Sequence, residues 1–380
     1  MQNNFIYLDN NATTPLDPRV LEAMMPYLTT VYGNASSSHR MGKNIKGAID
    51  QARRHVGDMI DANPEDIYFT SGATEAINIA LQGLSAKDGK PKHIITAATE
   101  HPAVLDTCKY LETIGVEVTY LPVSNVGEVS FDDYHEAFKE NTVLACFMTV
   151  NNETGFIQDI GYLAAIAHRK GALFMTDATQ AIGKIRFRVT DFDIVAMSAH
   201  KFYGPKGIGA LYVSPHIKLR ALVYGGGHER GLRSGTLAVA NIIGMGKAAA
   251  LVTEELELYI EHSLRLHAML QTMLMKTIPS ANPTLGILAP CAPGTLNMRF
   301  EGINNDALVL GLRDICISNG SACHSFVMEP SHVLLAMGMT KEEANECVRF
   351  SLGRFNTEDE IIKTVEVVKE TVERLRASAV

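Results

Sequence analysis

Several patterns that mark particular classes of protein are missing from this 380-residue sequence. No apolar run approaches the roughly 18 residues that span a bilayer. The N-terminal stretch MQNNFIYLDN contains neither the basic nor the apolar region of a secretory signal. We therefore expect a cytoplasmic protein that does not enter a membrane. The formal net charge is -8 and no basic cluster is longer than a short group such as Arg53-Arg54, which argues against nucleic acid as a direct ligand.

Cysteine is sparse and never occurs as a C-x-x-C pair. The 6 cysteines stand at positions 108, 146, 291, 316, 323 and 347. This spacing suits neither a disulfide framework nor a structural zinc site, so we interpret all of them as free thiols and predict no metal site. Cys323 differs in its neighbours, because ISNGSACHSF (317–326) surrounds it with residues typical of a loop. The pattern alone leaves three interpretations open for Cys323: a nucleophile, a metal ligand or a residue without a chemical role.

What the sequence does contain is a regular alternation of short apolar runs with amphipathic segments. The runs predict strands over 66–70, 93–97, 116–123, 142–150, 172–177, 193–199 and 208–213. Helical patterns lie between many of them, as in TEAINIALQGL and IGYLAAIAHRK. This alternation predicts an α/β fold with a mainly parallel sheet covered by helices on both faces. Ligands bind such sheets at the carboxyl ends of the strands.

A second part of the chain follows this alternation. A long helical pattern runs from about 237 to about 277, and the Pro-rich stretch PSANPTLGILAPCAPG comes after it. Shorter strand and helix patterns then lead to a closing amphipathic helix in TEDEIIKTVEVVKETVERL. We predict a large domain over 15–255 and a smaller α+β domain formed by 1–14 and 256–380.

Polar residues stand where several predicted strands end. Asp177 ends ALFMTD, and Ser198, His200 and Lys201 lie together in MSAHKFYGPKG. His101 follows a further strand, and TSGATEA opens a helix whose first amides suit a phosphate group. Each feature has an ordinary explanation when taken singly. An acid caps a helix, a lysine at a strand end is solvated, and many capped helices begin in this way.

Together these residues fit pyridoxal phosphate. This cofactor needs an amine for its aldehyde, a carboxylate for its ring nitrogen, a flat partner for its ring and donors for its phosphate. The chain offers, in that order, Lys201, Asp177, His101 and the group Thr74, Ser198 and His200. A nucleotide is the competing phosphate ligand, but the sequence has no G-x-x-x-x-G-K-[ST] motif.

Nine blocks of sequence resemble the cysteine desulfurases of the NifS/IscS type. They are YLDNNATTPLDPRV, FTSGATEA, TEHPAVLDTC, VNNETG, DATQAIGK, SAHKFYGPKGIGALYV, GGGHERGLRSGT, SNGSACHS and VRFSLGRF. The blocks occur in order over nearly the whole chain. These enzymes belong to the class V aminotransferase family of fold-type-I pyridoxal-phosphate transferases. The resemblance therefore implies that fold, with a large domain and a smaller C-terminal one, and that cofactor.

The resemblance also implies roles around the cofactor. Lys201 forms the Schiff base, Asp177 pairs with the ring nitrogen and Gln180 hydrogen-bonds the ring hydroxyl. His101 stacks on the ring and handles substrate protons. The residues implied on the phosphate side are Ala73, Thr74, Ser198 and His200.

Further implied roles concern the substrate and a second subunit. Asn152, which also lies beside the cofactor, and Arg349 take the substrate carboxylate. An arginine suits this task because its planar fork binds a carboxylate through two hydrogen bonds. Thr236, in RSGT, reaches the phosphate of the neighbouring subunit's cofactor, which implies a homodimer.

Cys323 occupies the place of the cysteine that accepts sulfur in this family. By the resemblance, it attacks the sulfur of L-cysteine and carries it as a persulfide to an acceptor protein, while L-alanine is released. Because a free cysteine has a pKa of about 8.5, a neighbour must assist thiolate formation. His101 is the first candidate, and His324, otherwise an exposed loop residue, is the second. The acceptor pathway stays open among iron–sulfur cluster assembly, tRNA thiolation and DNA phosphorothioation.

Two alternative functions use the same fold. A selenocysteine lyase or an aminotransferase would keep Lys201 and Asp177 but would not need Cys323 to turn over L-cysteine. A catalytically idle binding subunit could lose the lysine or the acid, and this chain has both. We predict a cysteine desulfurase.

Overall fold

The computed structural model describes residues 5–84, 92–286, 288–319 and 329–378. Its strands are β1 (Ile6–Tyr7), β2 (Ile67–Thr70), β3 (His93–Ala97), β4 (Glu117–Leu121), β5 (Thr142–Met148), β6 (Leu173–Asp177), β7 (Ile194–Ser198), β8 (Gly209–Val213), β9 (Ala281–Pro283), β10 (Thr295–Phe300), β11 (Ile315–Cys316) and β12 (Cys347–Ser351). Its α-helices are α1 (Pro18–Thr29), α2 (Arg40–Ile60), α3 (Ala73–Leu84), α4 (Pro102–Thr113), α5 (Phe131–Glu136), α6 (Ile160–Arg169), α7 (Val239–Thr277), α8 (Asn305–Leu312), α9 (His332–Ala336), α10 (Lys341–Ala344) and α11 (Glu358–Ser378).

A sheet of seven strands forms the centre of the larger part, in the order β2-β8-β7-β6-β5-β3-β4. The five strands from β3 to β7 run parallel to one another, whereas β8 is antiparallel to both β7 and β2. Every strand of this sheet except the edge strand β4 is buried at all of its residues or all but one, as expected for a sheet with helices on both faces. The predicted α/β fold with a mainly parallel sheet is confirmed.

The two faces of this sheet pack against different helices. Successive side chains of β7 alternate between them, because side chains along a strand point to opposite faces. Val195 and Met197 pack with apolar residues of α1, α2 and α7. Ile194 and Ala196 pack with residues of α3 and α4 on the other face. The burial of both faces leaves the strand ends as the place where polar side chains gather.

The second part of the structure contains a three-stranded antiparallel sheet in the order β12-β10-β9. A separate apolar cluster joins this sheet to α8, α11 and the C-terminal half of α7. The N-terminal strand β1 belongs here as well, since it pairs in parallel with β11. Along α7, Val252 is the last residue of the first cluster and Leu266 the first of the second. The predicted boundary after residue 255 falls between them, and the division into domains stays a prediction.

The 39-residue helix α7 passes from one cluster to the other. It carries charged residues along its length, including Glu254, Glu255 and Arg265. Within the described ranges, none of the helices combines the length and the apolar character that crossing a bilayer requires.

Candidate active site

A cavity of about 840 Å³ lies where the parallel strands of the large sheet end. Asp177 and Ser198 are the last residues of β6 and β7, and His101 and Asn152 follow shortly after β3 and β5. The carboxyl ends of neighbouring parallel strands meet at one edge of a sheet, which brings together residues that are distant in sequence. The predicted site residues that line this cavity are Ala73, Thr74, His101, Asn152, Asp177, Gln180, Ser198, His200, Lys201 and Arg349.

Two predicted site residues are not among them. Thr236 is exposed and lines a second cavity, of about 520 Å³, together with Tyr32 and His228. Cys323 lies outside the described residues, as does its candidate neighbour His324. The chemical roles assigned to all of these residues stay predictions.

Lys201 follows β7 in one short turn, Ala199–Lys201. Its Nζ donates hydrogen bonds to the backbone oxygens of Asn11 at 2.7 Å and Ala12 at 2.8 Å. Burial, followed by the positive charge of Arg349, lowers the pKa of Lys201 to about 8. The amine therefore loses its proton far more readily than a solvated lysine does, which suits attack on a carbonyl group.

Asp177 is held by the sheet and by a turn. Its backbone pairs with Met148 of β5 and Ala196 of β7, and its Oδ1 accepts a hydrogen bond from the backbone N–H of Thr179 at 2.9 Å. The hydroxyl of Thr179 is buried and has no partner among the described residues. Both side chains line the cavity, so a fixed carboxylate and an unpartnered hydroxyl are available to a ligand.

The amino end of α3 forms the wall opposite Ser198. The first-turn amides of an α-helix have no acceptor within the helix, and the helix dipole favours an anion there. A Cβ atom built on Gly72 would lie 3.7 Å from Ser198 Oγ, with nothing else within 4 Å. This gap is open to an anionic group. Burial lowers the pKa of the adjacent His200 to about 4, so its imidazole is neutral at pH 7.

Arg349 reaches the cavity from β12 in the second sheet. Its Nη2 donates to Asp9 Oδ1 at 2.7 Å and its Nη1 donates to the backbone oxygen of Asn152 at 2.8 Å. Its Nε is buried and has no acceptor in the part of the chain that the structure describes. Arg349 is thus held in place with a donor still unused, as recognition of a carboxylate requires.

Asn11 connects several of these side chains. Its backbone oxygen accepts from Lys201 at 2.7 Å and from Nε2 of Gln180 at 2.9 Å. Its Oδ1 accepts from Lys184 at 2.6 Å, and its Nδ2 donates to the backbone oxygen of Asn152 at 3.2 Å. One buried asparagine therefore ties both lysines to the walls of the cavity.

Besides His200, the histidines His101 and His332 line the cavity. Nδ1 of His101 accepts from a backbone N–H in the first turn of α4, at 3.1 Å, so the neutral ring carries its proton on Nε2. His332 begins α9, and its Nε2 donates to the backbone oxygen of Glu100 at 3.0 Å. The preceding Ser331 donates to Glu153 at 2.5 Å. These contacts hold the start of α9 against the cavity.

Comparison with known proteins identifies the family of this chain. The family model of the class-V aminotransferases matches residues 6–363. The chain belongs to the aminotransferase class-V family. The cysteine desulfurase IscS of Proteus mirabilis is 46% identical over 381 residues, which cover 98% of this chain and 93% of that protein.

Solved structures agree with this assignment. A NifS-like protein superposes with a TM-score of 0.92 at 36% identity, covering 98% of this chain and 100% of the other. A structure of SspA in complex with cysteine gives a TM-score of 0.81 at 37% identity, covering 92% and 99%. The predicted resemblance to NifS/IscS-type cysteine desulfurases is therefore confirmed. The predicted fold type and the prediction of an enzyme of the cysteine desulfurase type are confirmed with it.

Asp9, Asn11, Lys184 and His332 also contribute to the site of this class-V family member and were not predicted from its sequence. Asp9 and Asn11 lie in the block YLDNNATTPLDPRV, and Lys184 closes DATQAIGK. The resemblance of these two blocks to the family could therefore have pointed to all three residues. Their partners were not predictable from local pattern, since Lys184 and Asn11 are 173 positions apart. His332 lies outside every block that carried the resemblance.

The cysteines that the structure describes are poorly suited to accept sulfur. Cys108, Cys146 and Cys347 are buried. Burial raises the pKa of Cys108, of Cys291 and of Cys347 to about 12 in each case. It also raises the pKa of Cys146 and that of Cys316. A thiol with a raised pKa stays protonated and reacts slowly, because the thiolate is the nucleophile.

Proposed function

We propose that this chain is a cysteine desulfurase that works with pyridoxal phosphate. It converts L-cysteine to L-alanine, takes the sulfur on Cys323 as a persulfide and passes it to an acceptor protein. One observation carries the proposal. A single cavity joins a lysine of lowered pKa, a fixed carboxylate, the amino end of a helix and an arginine with an unused buried donor.

The side chains of the cavity fit this cofactor. The gap between Gly72 and Ser198 is of the kind that a phosphate fills, and the unpartnered hydroxyl of Thr179 is available near the carboxylate of Asp177. Pyridoxal phosphate, when bound, supplies an aldehyde that condenses with amines and a ring that accepts an electron pair from the substrate α-carbon. Asp177 would keep the ring nitrogen protonated. Lys201 would hold the aldehyde until the substrate amine replaces it.

The substrate is bound and deprotonated by residues of this chain. Arg349 and Asn152 take the carboxylate of L-cysteine, with Asp9 holding the guanidinium in position. Lys201 then removes the α-proton, which its pKa of about 8 allows near neutral pH. His101, which also lines the cavity, would handle a second proton.

Sulfur transfer needs a thiolate from this chain. Cys323 attacks the sulfur of the substrate, so that an S–S bond forms as the C–S bond breaks. The electron pair of the C–S bond stays on the carbon skeleton, which takes up protons and leaves as L-alanine. The raised pKa values of the other cysteines support this choice, because none of them offers a ready thiolate.

A homodimer completes the proposal. Leu21, Met25 and Leu28 lie along one face of α1 and are exposed, and Tyr32 follows them at 77% exposure. We call these four residues the α1 stripe. Leu28 and Tyr32 line the same cavity as Thr236. A second copy seated on the stripe would cover its apolar surface and bring the partner close to Thr236.

The test is to incubate the purified protein with L-cysteine, pyridoxal phosphate and a reductant, and to measure alanine and sulfide together. Equal amounts of both are expected. Cys323→Ala should lose turnover, whereas the matched control Cys316→Ala should keep it. 3-Mercaptopyruvate in place of alanine would refute the proposal and favour an aminotransferase. Full activity of Cys323→Ala would also refute it and would favour a selenocysteine lyase.

A further inference from the structure

Lys184 is a buried lysine without an acidic partner. Its side chain is 3% exposed, and it forms no ion pair with a described carboxylate. Its Nζ instead donates to Oδ1 of Asn11 and to Oε1 of Gln180. A buried ionisable group that is bonded only to amides is costly to maintain, so this arrangement calls for a functional explanation.

The two contacts of Gln180 allow only one orientation of its amide. Oε1 accepts from Lys184, and Nε2 donates to the backbone oxygen of Asn11 at 2.9 Å. The backbone oxygen of Asn11 can only accept, and Lys184 can only donate when it is an ammonium group. Turning the amide over would therefore face donor with donor and acceptor with acceptor. The second hydrogen of Nε2 is thus the one that Gln180 can offer to the cavity.

We propose that Lys184 is a positioning residue that fixes the Gln180 amide as a hydrogen-bond donor toward the ring oxygen of the cofactor. The inference rests on the proposed function, because it requires a ligand with an oxygen acceptor on its ring. Without Lys184, only the backbone oxygen of Asn11 still favours this orientation, so the amide presents its oxygen to that acceptor more often and repels it.

A double-mutant cycle tests this role. The dissociation constant of pyridoxal phosphate and the absorption maximum of the bound cofactor are measured for the wild type, Lys184→Met, Gln180→Met and the double variant, without L-cysteine. Each single change should raise the dissociation constant about tenfold, as for one lost hydrogen bond to a charged group, and shift the absorption maximum in the same direction. The double variant should be no weaker than Gln180→Met, because Lys184 acts through Gln180.

Lys170→Met is the matched control, since Lys170 is exposed at the end of α6 and should leave both readings unchanged. Additive losses, about hundredfold in the double variant, would give Lys184 a separate structural role and overturn the proposal. Unchanged readings for Lys184→Met would overturn it too. If Lys184→Met does not fold, Lys184→Gln takes its place in the cycle. A wild type that fails to bind the cofactor would overturn the proposed function instead, and so would a cofactor-bound protein that leaves L-cysteine intact.

Discussion

The charge on Lys201 depends on its surroundings more than on its residue type. Burial and the nearby Arg349 both disfavour the ammonium form, while the carboxylates of Asp177 and Asp9 favour it. The first two effects outweigh the others, and the pKa of Lys201 falls from 10.5 to about 8. The same cluster contains Lys184, whose pKa is lowered well below its usual range by burial. Basic groups clustered and buried in this way suit a site that receives a phosphate and a carboxylate, because a bound anion favours their charged forms.

This pKa leads to a prediction for the cofactor-free protein. Lys201 must be unprotonated to capture an aldehyde, so the rate of capture should rise with pH and level off above about pH 8. An ordinary lysine would level off only above 10.5. The measurement is the initial rate of pyridoxal phosphate capture between pH 6 and pH 11, read from absorbance after borohydride trapping.

Two variants control the experiment. Lys201→Ala should show no trapped cofactor. Arg349→Met should move the midpoint to higher pH, because it removes a positive charge that lowers the pKa of Lys201. A wild-type midpoint equal to that of surface lysines would contradict the prediction.

The sequence predicted which residues line the cavity better than it predicted the hydrogen bonds between them. Lys201 and Asp177 could be selected because the chemistry of a cofactor demands an amine and a carboxylate after strands. Lys184 could not, because its importance comes from burial against Asn11, and burial is a property of the folded chain. Thr236 was predicted from the resemblance; it lines a second cavity, and its role toward a neighbouring subunit stays a prediction.

At the scale of elements, all seven strands of the large sheet were predicted from their apolar runs. The predicted and observed strands differ only in where they begin and end. The pattern predicts a strand over 116–123, but β4 ends at Leu121 because the next residue, Pro122, lacks a backbone N–H for the sheet. The antiparallel direction of β8 could not be predicted, because the direction of a strand depends on the path that the connection before it takes, and the apolar run does not reveal that path. Helix α7 was predicted to within two residues at its start.

The connection between β8 and α7 contains an unusual segment. Glu229 and Arg230 both adopt positive φ angles, 45° and 52°. The carboxylate of Glu229 is buried and accepts from Arg53 of α2 at 2.6 Å and from the backbone N–H of Phe69 at 2.7 Å. These bonds hold a strained backbone conformation that residues other than glycine rarely adopt. The segment leads directly to Thr236.

Replacing Arg53 with methionine should destabilise the fold by about 3 to 5 kcal/mol, because it leaves the Glu229 carboxylate buried with no cation. Arg54→Met is a matched control from the same helix. Arg54 is exposed and, among the described residues, bonds only to Gln51, so its loss should cost no more than about 0.5 kcal/mol. Urea unfolding of the two variants, followed by fluorescence and by circular dichroism, measures the difference. Equal stability of both would contradict a stabilising role for the buried pair.

For the whole molecule, the exposed apolar surface is the feature that the single chain does not explain. Leu28 is 57% exposed and Tyr32 is 77% exposed, both at the edge of the cavity that contains Thr236. Apolar side chains gathered in this way mark a surface that another protein covers. A second copy of this chain is the proposed occupant, since Thr236 would then lie next to the partner's cofactor.

Leu28→Lys should therefore convert a dimer to a monomer, because it places a charge in the centre of the covered surface. Analytical ultracentrifugation measures the change, and the dissociation constant of pyridoxal phosphate should rise with it. Leu258→Lys is the matched control, since Leu258 is 68% exposed on α7 and lies outside the α1 stripe.

Thr236→Ala should weaken cofactor binding about tenfold while the dimer persists, because only the contact with the phosphate is lost. A Leu28→Lys protein that stays dimeric would place the interface elsewhere, and a monomer with unchanged cofactor affinity would remove Thr236 from the partner's site.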